Sequence, residues 1–231
     1  MLTRRFVPVV LTLTLGLVAS ALPDLAWSLP PSHETSISEL IPLVNWQKQF
    51  KITEGKDRGR VVPLISQPDL GDKKKWRLVF GDYAGMLLVR GPNGGLMLER
   101  LDLFKSRSYV VYEPALPVLP ADVSLAGSIR FETGYKMYSL ETHKLKRAGK
   151  VTHWVQRISQ SRFNTPAGVI DGYYVEIAHR MDMEYNSKLY LTLGVGCRVD
   201  EGPVYGSGQY TVKKLGLFTE TKNAAAGLVV R

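Results

Sequence analysis

Three histidines lie in strand-like stretches of this chain: His143, His153 and His179. Imidazole ligates metals and carries protons near neutral pH, so their spacing is the first place to look for chemistry. Residues 135–146 and 150–160 flank Arg147-Ala148-Gly149. That triplet fits a three-residue hairpin loop with glycine in the left-handed position. Pairing about Ala148 sets His143 opposite His153, with Cβ atoms about 5 Å apart. Two imidazoles fall short of the three or four ligands of a working metal site. The expectation is a cross-strand polar pair with no metal.

Other groups are weaker candidates for chemistry. Asp182 and Glu184 sit at i, i+2 on one face of an expected strand. Paired carboxylates can cleave glycosides, but nothing around them points to a raised pKa, and a solvated strand face is the plainer reading. Gly206-Ser207-Gly208 is a turn and lacks the Gly-x-Ser-x-Gly pattern of a nucleophile elbow. No phosphate loop, HExxH or dinucleotide fingerprint occurs. Cys197, the single cysteine, rules out an intramolecular disulfide and reads as a small buried hydrophobe. No catalytic residue, cofactor or metal is expected.

Basic residues cluster twice. Lys73, Lys74, Lys75 and Arg77 surround Trp76, and Lys144, Lys146, Arg147 and Lys150 gather at the expected hairpin tip. Both are candidate contacts for an anionic surface. The plainer reading is that they protect strand edges and keep turns wet. Lys146 in particular reads as a solvated hairpin end.

The chain's opening residues set the compartment. Arg4 and Arg5 precede an apolar run from Phe6 to Ala21 that ends in Ala19-Ser20-Ala21. Charge, apolar run and small-x-small site are the parts of a secretory signal peptide. The run is shorter than the roughly 20 residues a membrane span needs. Cleavage is expected after Ala21, with Ala26-Trp27-Ser28 as the second choice. Removing Arg4 and Arg5 leaves 30 − 2 = 28 basic against 21 acidic residues, a mature charge of +7. The expected location is periplasmic or extracellular, with no transmembrane span after cleavage. Partners there are envelope lipid, lipoprotein or another envelope protein, and not nucleic acid.

These groups must be positioned by strands. Val, Ile, Tyr, Thr and Trp alternate with polar residues between Gly and Pro punctuation, the signature of half-buried strands. Met86–Arg90 and Leu96–Arg100 around Pro92-Asn-Gly-Gly95 make a hairpin. The expected fold is all-β: a strongly curved antiparallel sheet or half-barrels, with at most one short helix. Residues 36–50 allow two readings. One is a short helix through Ile37, Leu40, Ile41 and Val44; the other is a Pro-Leu bend before a strand at Trp46–Ile52. Prolines 114, 117 and 120 favour a polyproline connector over 113–120. The expected organisation is then a signal peptide (1–21), a leader (22–35), an N-terminal β half (36–112), the connector, a C-terminal β half (121–218) and a tail (219–231).

Several segments resemble a loose group of secreted bacterial envelope proteins of unknown function with β-rich, lipoprotein-carrier-like half-barrel domains. Thr165-Pro-Ala-Gly-Val-Ile170 is similar to the group's Pro-Ala-Gly-x-Phe turn, with Ile170 in place of Phe. Tyr190-Leu-Thr-Leu-Gly-Val-Gly-Cys-Arg-Val199 resembles its Tyr-Ala-Pro-Gly-Val-Gly-x-Val strand entry, with Thr192-Leu193 departing from Ala-Pro. Ile41-Pro42-Leu43 before Trp46 resembles its opening, and the group's usual lipobox cysteine is absent. The resemblance implies fold and compartment and no catalytic residue. The expected function is non-catalytic binding of an apolar or amphiphilic envelope component, lipid or lipoprotein, on a concave apolar face. The alternatives are a partner-binding envelope protein with a filled core, and a hydrolase of envelope polymers.

Overall fold

The computed structural model describes residues 40–119, 121, 129–182, 187–214 and 219–229. The expected signal peptide and leader lie outside them. Twelve strands follow in order: β1 (Trp46–Ile52), β2 (Val61–Pro68), β3 (Trp76–Phe80), β4 (Ala84–Arg90), β5 (Leu96–Leu103), β6 (Ser108–Leu119), β7 (Ile129–Ser139), β8 (Leu145–Thr165), β9 (Gly168–Asp182), β10 (Ser187–Arg198), β11 (Gly202–Lys214) and β12 (Thr219–Val229). Each pairs antiparallel with its sequence neighbours, and β1 pairs with β12, so the sheet closes into a barrel. A 3-10 turn at Phe104–Ser106 links β5 to β6.

Alternation decides which face turns inward. Phe50, Val62, Leu64, Leu78, Val110, Tyr135, Val151, Val155, Val175 and Ile177 are buried and form one core cluster. Their neighbours Lys51, Lys136, Lys150 and Glu132 point the other way, into solvent. An apolar interior and a charged exterior are the reverse of what a membrane-spanning barrel needs. Among the described residues no helix is long and apolar enough to cross a membrane.

Several expectations change here. Leu40 is helical, residues 41–45 are not, and β1 begins at Trp46, so the expected strand is present while the rest of the alternative helix, before Leu40, lies outside the described residues. The segment expected to be a connector continues β6 to Leu119, with Leu116, Pro117 and Leu119 in register with Leu98, Met97 and Leu96. Pro114 and Pro117 are tolerated because β6 leaves β7 after Glu113 and, among the described residues, pairs from there on one side only. The ring therefore runs through it, and the two halves are one barrel. The expected tail forms β12, held between β11 and β1. Alanine-rich 219–229 has little strand propensity of its own, and pairing on both edges supplies what the local sequence lacks.

The hairpin register also differs. β7 and β8 turn through 140–144, so Arg147-Ala148-Gly149 lies inside β8 and His153 faces Phe131. His143, expected on a strand, sits in this turn with φ +54°.

Candidate functional site

The structure brings His153 to His179 instead of to His143. The two are register partners on β8 and β9. Their rings lie edge to face with centroids 4.5 Å apart, and the two Nδ1 atoms are 3.3 Å apart. His153 Nε2 lies 3.3 Å from the Val118 carbonyl. A carbonyl accepts only, so His153 donates there from Nε2 and its Nδ1 accepts from His179. Val118 belongs to the proline-bearing stretch of β6 that has left β7, and the imidazole takes up its carbonyl. Burial pushes the His153 pKa down to about 4. Burial, then the neighbouring His153, brings that of His179 down to about 3. Both rings are neutral at pH 7, and the pair ties the core together. No group of three or more metal-ligating side chains occurs among the described residues.

His143 instead lies beside Tyr109, its Nδ1 3.3 Å from the hydroxyl. Cys197 is fully buried, and burial pushes its thiol up to about 12, which leaves it inert. Asp182 is exposed, and its carbonyl accepts from the Tyr135 hydroxyl at 2.5 Å. Glu184 lies outside the described residues.

The two basic clusters are drawn into ion pairs and hydrogen bonds. Lys75 pairs with Glu99 at 2.5 Å. Arg77 bridges Asp69 at 2.5 Å and buried Asp102 at 3.3 Å, and Asp102 also holds Arg100 at 2.6 Å. Lys73 and Lys74 are exposed in the β2–β3 turn. In the second cluster only Lys144 lies at the turn. Lys146, expected to be a solvated end, donates to Ser108 Oγ at 2.7 Å and to the Arg107 carbonyl at 3.2 Å. Lys150 pairs with Glu132 at 3.3 Å, and Arg147 lies within β8.

One concave feature among the described residues brings varied side chains together and was not legible in the sequence. β8 and β9 outrun their neighbours. Among the described residues β7 pairs with β8 as far as Ile129–Val155, and β10 pairs with β9 as far as Cys197–Tyr173. A bulge between Val155 and Arg157 marks the departure. Beyond it the two strands form an arm, 157–172, that folds over the outer face of the barrel. Tyr174, Gly196, Tyr205 and Gly227 are successive register partners on that face, which also carries exposed Lys51. Phe163 of the arm stacks on Tyr205 with centroids 5.6 Å apart. Its ring lies where a Cβ on Gly196 would stand, 2.6 Å from Cε1. At the tip, Pro166 meets Gly227, and Gly168 turns the chain with φ +116°. Gly172 crosses so close to the Cys197 carbonyl that no Cβ fits. The Pro-Ala-Gly turn thus forms the arm's tip against Gly227, and Gly196 of the Gly-Val-Gly run lies under Phe163 of the arm.

Beneath the arm lies an open groove of about 510 Å³, lined by Arg157, Ser159 to Asn164, Tyr174 and Tyr205. Ring faces, hydroxyls, amides and guanidinium groups make up its wall. Among its described lining residues there is no carboxylate, imidazole or thiol. Arg162 pairs with Asp171 at 2.8 Å.

No family model matches the chain, and no curated protein matches it in sequence. Among solved structures it superposes on the hypothetical lipoprotein YmcC from Escherichia coli (K12), with a TM-score of 0.42 and 9% identity over 82% of this chain and 89% of that one.

Proposed function

We propose that this chain is an exported, non-catalytic protein of the cell envelope that binds a partner protein in the groove beneath the β8–β9 arm. The groove carries the reading, because it lies outside the barrel and combines aromatic faces with polar and cationic groups. Buried apolar side chains, from Phe50 and Val62 to Val175 and Ile177, line the core. The groove's polar and cationic wall suits a protein surface better than an acyl chain, so partner binding is preferred here to the lipid-carrier reading.

The test places a photo-crosslinking residue at Gln160 in the groove, in the exporting cell, with Lys73 as the control position. A discrete protein adduct from position 160 alone is the expected result. Native mass spectrometry of the exported protein should then give the mass of the bare chain. A stoichiometric lipid that co-purifies with it would overturn this reading in favour of a lipid carrier.

A further inference from the structure

We infer that the outer face of β7 to β11 around Trp154 binds an acidic polysaccharide laid across the strands. None of its residues lines the groove, and the inference does not rest on the partner-binding reading. Arg130, Trp154, Ala178, Thr192 and Gln209 are successive register partners on these five strands. Successive strand residues point to opposite faces. His153, Val155 and Ile177, which flank this row, are buried in the barrel, so the row itself faces out. Arg130, Thr192 and Gln209 are exposed, and Trp154 and Ala178 are partly so. The next row on the same face is Thr152, Arg180 and exposed Tyr190.

Arg180 carries the charge that selects the ligand. Its guanidinium carbon lies 5.8 Å from the Trp154 ring centre, and that of Arg130 lies 5.7 Å from it. Arg180 Nη2 donates to Thr152 Oγ1 at 3.2 Å. A guanidinium has five N–H donors, and no carboxylate among the described residues stands within ion-pair distance of this one. Glu132, on the neighbouring strand, is held instead by Lys150 at 3.3 Å and Arg130 at 3.9 Å. Arg180 is thus positioned by a ring and a hydroxyl, with donors left in the fork that matches a carboxylate.

The rest of the face decides what bears that carboxylate. A lipid tail needs an aliphatic surface, and a stable protein interface has an apolar core. These two rows offer hydroxyls, an amide and guanidinium groups around one indole and one phenol. Neighbouring strands lie about 4.8 Å apart, and a linked sugar residue is of similar length. A polysaccharide crossing the strands along the first row therefore sets one sugar on each. The exposed part of the Trp154 indole meets the C–H side of a ring. Ala178 is small enough to let the next ring approach, and Thr192 and Gln209 reach hydroxyls further on. A uronic acid over Trp154 places its carboxylate at Arg180.

The test uses the mature full chain with polygalacturonate as the probe and neutral dextran as the control. Calorimetry should show binding to polygalacturonate and none to dextran. Arg180→Gln should weaken binding about tenfold, as expected for loss of a hydrogen bond to a charged group. Thr192→Glu, at an exposed position that leaves the fold intact, should weaken it by a similar factor through repulsion. Lys73→Gln/Lys74→Gln removes two exposed charges in the β2–β3 turn and should leave binding within about twofold. Equal loss in that variant would assign the attraction to net charge alone and overturn the site. So would unchanged binding in Thr192→Glu, or equal binding of dextran. No binding of polygalacturonate would overturn it as well, and a protein adduct from a photo-crosslinking residue at Gln209 would then assign the face to a protein.

Discussion

Gly196→Ala is the sharpest test of the arm. A Cβ at this position would stand 2.6 Å from Cε1 and 2.7 Å from Cζ of Phe163. Carbon atoms rest at about 3.5–4.0 Å. Gly196 is not left-handed, so the cost is steric and the Phe163 ring must leave. That ring is 5% exposed and stacks on Tyr205. Losing its burial costs about 1.5–3 kcal/mol. Losing the aromatic pair costs about 0.5–1.5 kcal/mol more. Gly196→Ala should therefore destabilise by about 2–4.5 kcal/mol, or about 1–2 M in urea midpoint. Lys144→Ala, at the β7–β8 turn, should stay within about 0.5 kcal/mol of the parent. Lys146→Ala should cost about 1 kcal/mol, because that amine is bound to Ser108. The decisive measurement is a double-mutant cycle. With Phe163→Ala already in place the three atoms nearest the new methyl are gone, so Gly196→Ala should then cost less than about 1 kcal/mol. An equal cost in both backgrounds would refute the account and remove the reason for the glycine.

Four further outcomes are expected. His153 and His179 have folded pKa values of about 4 and about 3, below the ordinary 6.5. As pH falls below 6.5 the unfolded chain takes up their protons first, so stability drops by up to about 1.4 kcal/mol per histidine per pH unit, down to about pH 4. Urea midpoints at pH 7 and pH 5 should show a smaller fall in a His153→Gln/His179→Gln variant, and an identical fall would count against a buried neutral pair. Asp102→Asn should cost about 2 kcal/mol in chemical denaturation, because it leaves Arg77 and Arg100 side by side; partial exposure of both guanidinium groups holds this below the usual cost of breaking a buried pair. Stoichiometric zinc should leave the melting temperature unchanged, since two imidazoles are too few ligands; a rise of several degrees that His179→Ala abolishes would show otherwise. N-terminal sequencing of exported protein should read from Leu22, or failing that from Leu29, and an intact Met1 on membrane-bound material would remove the export argument.

Alternation of apolar and polar residues was enough to establish an all-β chain, and most strands lie where that alternation places them. The period of two is local, fixed by the pleat, and survives whatever the strand pairs with. Cys197 as an inert buried thiol was legible for the same reason, from its place between Val195 and Val199. Register was not local. Whether β7 turns at 147–149 or at 140–144 depends on what lies across each strand, and a small shift there exchanged His143 for His179 as the partner of His153. β12 was invisible because its alanines carry no strand signal, and only the unpaired edges of β1 and β11 make them a strand. The arm was hidden in the same way. Phe163, Tyr174 and Tyr205 are unremarkable aromatics along three strands, and they meet because β8 and β9 outlast their neighbours and fold back. The one advance sign of that fold was in the glycines. Gly172, Gly194, Gly196 and Gly227 interrupt strands that would hold more firmly without them, and the reason becomes visible once the Cys197 carbonyl, Tyr174, Phe163 and Pro166 are seen lying against them in turn. Sequence alone determined which residues could form strands and which of their faces would be apolar. The tertiary structure decided which strands meet, and with that the closure of the barrel, the histidine pair and the groove.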